Sequence, residues 1–311
     1  MSTREVSRRR AWLIAARPQT LPAATAPVVV GTGMALHDGV FAALPALAAL
    51  VGAVLIQIGT NFANDYYDAV QGADTEDREG FTRVTAGGLI DPAAVKRAMW
   101  LTFLAAVAVG VYLVTVGGAP IVVVGLLSVA SGIAYTGGPY PLGYHGLGDL
   151  FVFVFFGLVA VTGTYYVQAA ATLAAPLPLG VPAGTVTAGA VLASLPVAAI
   201  ATNILVVNNV RDREEDATTD KRTLVVRFGY GFARAEFLAM LAVAYLVPPA
   251  LVVGLGFSPT VLLPLGTIPY AAGITRTLLT ETGGQALNPA LERTGKLHAA
   301  YALTFAIGLA L

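Results

Sequence analysis

Nine stretches of about 20 mostly apolar residues recur along the chain, near 20–37, 42–64, 98–116, 119–136, 148–171, 185–208, 234–255, 259–278 and 295–311. A helix needs about 20 apolar residues to cross a hydrocarbon layer roughly 30 Å thick. Backbone amides inside lipid must be satisfied within their own segment, so a chain with this many such runs can fold only as a bundle of membrane helices. The expected fold class is all-α: a polytopic membrane protein with nine transmembrane helices.

The charges test that count. All eighteen Lys and Arg lie in the N-terminus, in the segments after the second, sixth and eighth runs, or at the adjoining helix ends. These segments share one side only if nine spans alternate. The opposite connections, including Gly117-Gly118-Ala119 and 172–184, contain none. The positive-inside rule makes the basic side cytoplasmic, with the N-terminus there and the protein in the cell membrane. Of eighteen acids, Asp38 alone lies on the other side. Ser7-Arg8-Arg9-Arg10-Ala11-Trp12-Leu13 resembles a twin-arginine export signal. However, Arg17 and Pro18 interrupt the following apolar run after six residues, too short for a signal core, so the cluster reads as a cytoplasmic anchor. The ninth run ends at Leu311 with no polar tail, as a shortened chain would.

Composition removes several functions. Only 12% of residues are charged, against about 25% in soluble domains. Net charge is zero, which offers nothing to a nucleic acid. The absence of cysteine excludes disulfides, thiolate metal sites and cysteine nucleophiles. Three scattered histidines, His37, His145 and His298, do not form a zinc or haem site.

Two acidic clusters interrupt this apolar background. In the first, Asn61, Asp65 and Asp68 fall at i, i+4 and i+7, on one helical face, with Asn64 beside them and Asp74, Glu76 and Asp77 following. In the second, Asn208, Asp212 and Asp216 fall at i, i+4 and i+8, with Asn209, Arg211, Lys221 and Arg222 adjacent. Carboxylates at the ends of membrane helices are costly and mark functional sites. Mg²⁺ takes hard oxygen ligands and is commonly shared between one or two carboxylates and substrate phosphates. Two such faces across a cavity suit Mg²⁺ gripping one diphosphate, with Asp65, Asp68, Asp74, Asp212 and Asp216 as metal candidates. Solvated loop surface explains Glu76, Glu79, Glu214 and Glu215 well, but not the inner-face Asn and Asp. Both clusters close a span, and four helices separate them. That spacing suggests pseudo-repeats of about 17–145 and 146–280, two four-helix units plus a ninth helix around a central cavity.

With these motifs the chain resembles the UbiA-type intramembrane aromatic prenyltransferases, in particular the menaquinone-pathway branch that acts on 1,4-dihydroxy-2-naphthoate. Asn64-Asp65 with Asp68 and the later Asp212 and Asp216 carry the likeness. It is reinforced by Arg17-Pro18-Gln19-Thr20-Leu21-Pro22, Tyr135 through Tyr144, Gly146-Leu147-Gly148-Asp149 and Lys221-Arg222-Thr223-Leu224. Two departures stand out. Gly72 occupies a position where relatives often carry a third aspartate, which Asp74 could replace. Tyr140-Pro141-Leu142-Gly143-Tyr144-His145 lacks the lysine of many relatives.

The resemblance implies a Mg²⁺-dependent enzyme that joins a polyprenyl diphosphate to an aromatic acceptor within the bilayer. Asp65, Asp68, Asp212 and Asp216 would be catalytic. Arg17, Asn61, Asn64, Arg83, Tyr140, Asn208, Asn209, Arg211 and Lys221 would bind substrate. Interfacial anchoring explains Arg17, Arg83 and the tyrosines equally simply. Asp149 is as readily a helix cap as a catalytic group. Two other readings stand beside this one: the same chemistry on 4-hydroxybenzoate, homogentisate or a lipid glycerol phosphate, and a secondary transporter.

Overall fold

The computed structural model describes residues 7–70, 84–219 and 221–311. Asp74 and Arg83 lie outside them, as do Glu76, Asp77, Glu79 and Asp220. The described chain is all-helical. Its helices are α1 (Arg8–Ala16), α2 (Leu21–His37), α3 (Ala43–Val70), α4 (Pro92–Ala134), α5 (Gly148–Leu173), α6 (Ala188–Thr218), α7 (Leu224–Leu255), α8 (Ile268–Thr280) and α9 (Gly284–Ala310). By length and composition, α3, α4, α5, α6 and α7 can each cross a membrane.

Helix α4 is too long for one crossing: 43 residues would extend about 65 Å as a straight helix. It breaks at Gly118, where φ is 62° and ψ is −149°. A Cβ there would meet the Pro178 carbonyl oxygen at 1.8 Å, so only glycine allows the fold-back. The amide of Ala119 donates to Pro178 and that of Leu177 to the Thr115 carbonyl, tying the hinge to the 172–184 connection. Phe103 on the first arm comes within contact distance of Gly132 on the second, so the arms run back along each other. Asp91 caps the entry to α4, its carboxylate accepting from Ala93 and Ala94 N–H ahead of Pro92.

Helix α6 is the axis of the bundle. Its most apolar window is 72% buried, against 17–33% for the other four long helices. Small residues explain this: Ala193, Ala198, Ala199 and Ala201 let neighbours approach closely. Gly157 sits in a π-helical segment of α5 (Val154–Val159) against Ala198, where a Cβ would come to 2.0 Å of the alanine methyl. On the outside, Leu101, Leu104, Leu126, Leu246 and Val253 are all exposed. A soluble protein would bury so large an apolar surface; lipid covers it here.

Both α3 and α6 stay helical past the end of their apolar runs, to Val70 and Thr218. Asn61, Asp65 and Asp68, and likewise Asn208, Asp212 and Asp216, therefore sit on helix rather than on loops. Helix α9 starts at Gly284, well before its apolar run, and so delivers Asn288 to the same end of the bundle.

Candidate active site

On α3, Asn61, Asp65 and Asp68 are 3%, 1% and 2% exposed, so the helical face read from their spacing is turned inward. Each has a different partner. The Asn61 amide donates to the Ala16 carbonyl and to the Thr20 hydroxyl, both at 2.9 Å. Gln57, one turn earlier, donates to Thr20 and to Asn61. Asn61 thus stitches the turn between α1 and α2 onto α3. Asp65 accepts from the backbone N–H of Val84 and Thr85 and, at 2.6 Å, from the Thr85 hydroxyl. The Arg17 guanidinium lies 3.7 Å from it. Arg17 reaches that place from a left-handed backbone (φ 50°) that closes α1 just before Pro18. Asn64 accepts from the Thr136 hydroxyl at the end of α4.

On α6, Arg211 and Asp212 form a buried two-point ion pair, Nε to Oδ1 at 2.6 Å and a terminal nitrogen to Oδ2 at 2.8 Å. The same guanidinium donates to Asn208 at 2.9 Å and to Asn288 of α9 at 3.2 Å. Asn208 also donates to Asp212. A buried charge needs this degree of satisfaction to be tolerated. Asn209 is buried beside this network but makes no hydrogen bond within it among the described residues.

One bridge joins the two helices. The Tyr144 hydroxyl donates to Asp68 at 2.7 Å. The Lys221 ammonium lies 5.0 Å from the centre of the Tyr144 ring and 3.7 Å from Asp216. The backbone holds this bridge: Arg222 N–H donates to the Tyr144 carbonyl at 2.7 Å, and Lys221 N–H to the Asp216 carbonyl. The segment Tyr140–His145 has no lysine of its own, and the cation beside Tyr144 is Lys221 from the loop after α6. His145 does not replace it; its ring stacks on Tyr140, and its Nδ1 pairs with the Pro141 carbonyl. Tyr140 is 56% exposed and meets no site carboxylate among the described residues. Tyr144 does, because the 3-10 turn Leu142–His145 points that ring inward.

Beneath the carboxylates lies an apolar cavity of about 790 Å³ between α2, α3, both arms of α4 and α5. Gln57 and Tyr135 are among its lining residues and connect it to the polar end. Gln57 bonds to Asn61, and Tyr135 lies within electrostatic reach of Asp68, Asp149 and Asp216.

The donor set suits Mg²⁺. It consists of hard carboxylate oxygens on two facing helices, buried at 1–4% exposure. No group of three or more His, Cys, Asp or Glu forms a closed cage among the described residues. Mg²⁺ does not require one, since it usually keeps waters and takes one or two carboxylates alongside phosphate oxygens. A charged rim over an apolar cavity within a helical membrane bundle defines a class: an intramembrane enzyme for a lipid-tailed, anionic substrate. The chain belongs to the UbiA prenyltransferase family, whose model matches residues 24–310. It is 39% identical over 308 residues to a 1,4-dihydroxy-2-naphthoate octaprenyltransferase of Mycobacterium tuberculosis, covering 96% of each chain. It is 37% identical over 321 residues to the Escherichia coli protein of the same description, covering 99% of this chain and 98% of that one. Among solved structures, the fold matches a UbiA homolog from Aeropyrum pernix with TM-score 0.64 at 15% identity, covering 92% and 96%. It also matches one from Archaeoglobus fulgidus bound to GPP and Mg²⁺, with TM-score 0.62 at 15% identity, covering 95% and 99%.

Proposed function

We propose that this chain transfers a polyprenyl group from a polyprenyl diphosphate to 1,4-dihydroxy-2-naphthoate, with loss of the ring carboxylate, giving demethylmenaquinol, diphosphate and CO2. The observation that carries this reading is the Asp68–Tyr144–Lys221–Asp216 bridge above an apolar cavity. It is supported by near full-length similarity to the 1,4-dihydroxy-2-naphthoate octaprenyltransferases.

Asp68 and Asp216, one on each helix, would hold Mg²⁺ with the diphosphate, backed by Asp65 and Asp212. Mg²⁺ bound there supplies Lewis-acid charge that makes diphosphate a better leaving group. The protein's part is positioning and electrostatics. Lys221 and Arg211 are already desolvated and oriented by Asp216 and Asp212, so positive charge is in place as diphosphate departs. Asp65 spends its oxygens on Val84 and Thr85, which ties that turn to α3 one helical turn from Asp68. Arg17 steadies Asp65 from the other side. Asn64 and Asn208 keep the two helix ends in register with α4 and Arg211. Arg83 and Asp74 remain proposals for diphosphate and metal contact. The prenyl tail would occupy the apolar cavity, whose walls keep water from the allylic cation.

In this reading α2 to α9 make nine crossings of the cell membrane, two of them by α4, and the acidic ends of α3 and α6 face the cytoplasm. The pseudo-repeats 17–145 and 146–280 would then bring one acidic helix each to the shared cavity.

The test is a competition assay with the purified protein in lipid nanodiscs, given Mg²⁺, a polyprenyl diphosphate and equal amounts of 1,4-dihydroxy-2-naphthoate, 4-hydroxybenzoate and homogentisate. Mass spectrometry should find a prenylated naphthoquinol without the carboxylate. Prenylation of another ring would keep the chemistry and overturn the acceptor.

A further inference from the structure

The function proposed above leaves one buried acid without a task. Asp149, in the first turn of α5, is 5% exposed, and its Oδ1 is buried with no hydrogen-bond partner. Burying a polar atom unpaired is costly, and native structures rarely do it without reason. Helix capping is not the reason: the cap position of α5 is Leu147, and no side chain caps there. No cation pairs with Asp149 among the described residues. The positive end of α5 is the nearest source of support for its negative charge.

Its neighbours indicate what it serves. Preceding it, Gly148 has no side chain, and a Cβ there would lie 2.9 Å from the Tyr135 hydroxyl. The glycine therefore admits that hydroxyl to the start of α5, beside Asp149. Tyr135, with Phe151 and Val152 of the same helix, lines the cavity proposed to hold the prenyl tail. Tyr135 also lies within electrostatic reach of Asp149, Asp216 and Asp68. Tyr135 thus links Asp149 to the two diphosphate-side aspartates, each on a different helix. Glu236 of α7 faces Asp149 within electrostatic reach. The groups that reach Asp149 are therefore Tyr135 and Glu236, and Tyr135 in turn reaches Asp68 and Asp216.

Resting on the function proposed above, we infer that Asp149 and Tyr135 form the acceptor subsite, in which Asp149 is the catalytic base for a ring hydroxyl and Tyr135 holds the ring beside the reacting prenyl carbon. The unpaired Oδ1 accepts the hydroxyl proton of the hydroxynaphthoate. The resulting aryloxide directs its electron pair through the ring to the adjacent carbon. That carbon bonds to the allylic carbon as the C–O bond to diphosphate breaks and the pair leaves with diphosphate. The ring is now a ketone that still carries the carboxylate. Its C–C bond breaks to release CO2, and the electron pair returns to the ring oxygen. Asp149 gives its proton back to that oxygen, and the quinol is formed with the base restored. No oxidant or reductant is needed, and the proton leaves and returns on the same oxygen.

The test compares wild type, Asp149→Asn and Asp149→Glu, full length and in nanodiscs, measuring kcat and KM for each substrate across pH. Proton transfer by a positioned group contributes about 10²- to 10⁴-fold. The Asn variant should lose kcat by that factor, keep the wild-type KM for the prenyl diphosphate, and lose the acidic limb of the pH–kcat profile. The Glu variant should recover part of the rate. A ring-fluorinated hydroxynaphthoate, whose hydroxyl ionises more readily, should restore the Asn variant more than it accelerates wild type. An Asn variant with wild-type kcat and pH profile overturns the inference. So does a loss that raises the prenyl diphosphate KM equally and is not rescued by the fluorinated ring, since that would be structural damage. If wild type itself prenylates no hydroxynaphthoate, the proposed function fails first; if it does and the Asn variant does too, only this inference fails.

Discussion

Replacing Arg211 with Met should destabilise the protein by removing the two-point partner of a buried carboxylate. The guanidinium makes two hydrogen bonds to Asp212, at 2.6 and 2.8 Å, one to Asn208 at 2.9 Å and one to Asn288 at 3.2 Å. Both members of the ion pair are buried, with 4% and 1% side-chain exposure. Removing one partner of a buried pair costs about 3–5 kcal/mol because the other charge stays desolvated and unpaired. About 4 kcal/mol corresponds to a shift of about 10³-fold in the folded-to-unfolded ratio. Unfolding in mixed micelles by added SDS, followed by circular dichroism, gives the difference directly. Arg211→Lys should recover less than half of it, because a point charge cannot make the two-point contact. A paired Arg211→Met, Asp212→Leu variant should be more stable than Arg211→Met alone, although inactive. A loss below about 1 kcal/mol, or a double variant no better than the single, would refute the claim that loss of the Arg211–Asp212 contact is the cause.

Three further perturbations follow from the geometry. Tyr144→Phe removes the hydroxyl that donates to Asp68 but keeps the ring under Lys221. A hydrogen bond to a charged group is worth about 1.5–3 kcal/mol, so kcat/KM should fall about 10- to 150-fold while the melting temperature in detergent barely changes. Thr85→Val removes the 2.6 Å bond to Asp65, and a loss of similar size should appear in both stability and activity. Gly118→Ala puts a methyl within 1.8 Å of the Pro178 carbonyl at a positive φ and should abolish a monodisperse size-exclusion peak, whereas Gly110→Ala, with open space around it, should leave that peak intact.

Much of this organisation was legible in the residue order. Apolar runs report which segments sit in lipid, and the helices fall where those runs lie. The Gly117-Gly118 pair marked the reversal inside α4 because few other residues can turn there. Helical spacing also placed Asn61, Asp65 and Asp68 on one buried face. Partners far apart in the chain were not legible. Nothing local in the sequence relates Arg211 to Asn288, and the late start of the ninth apolar run concealed that α9 begins at Gly284. The spacing of Asn61 matched that of the aspartates, but its tie to Ala16 and Thr20 across the α1–α2 turn was not legible. Lys221 was legible as a site residue, but its place beside the Tyr144 ring was not. Periodicity gives the face on which a residue lies; the partner on that face comes from another helix.

The most direct test of the account is the stoichiometry of carboxylate loss to diphosphate release, measured with carboxyl-labelled 1,4-dihydroxy-2-naphthoate and a polyprenyl diphosphate. The account predicts equal amounts of labelled CO2 and diphosphate, both abolished by chelating Mg²⁺ and by Asp68→Ala. Diphosphate released without labelled CO2, or undiminished release from the Asp68→Ala variant, would contradict it.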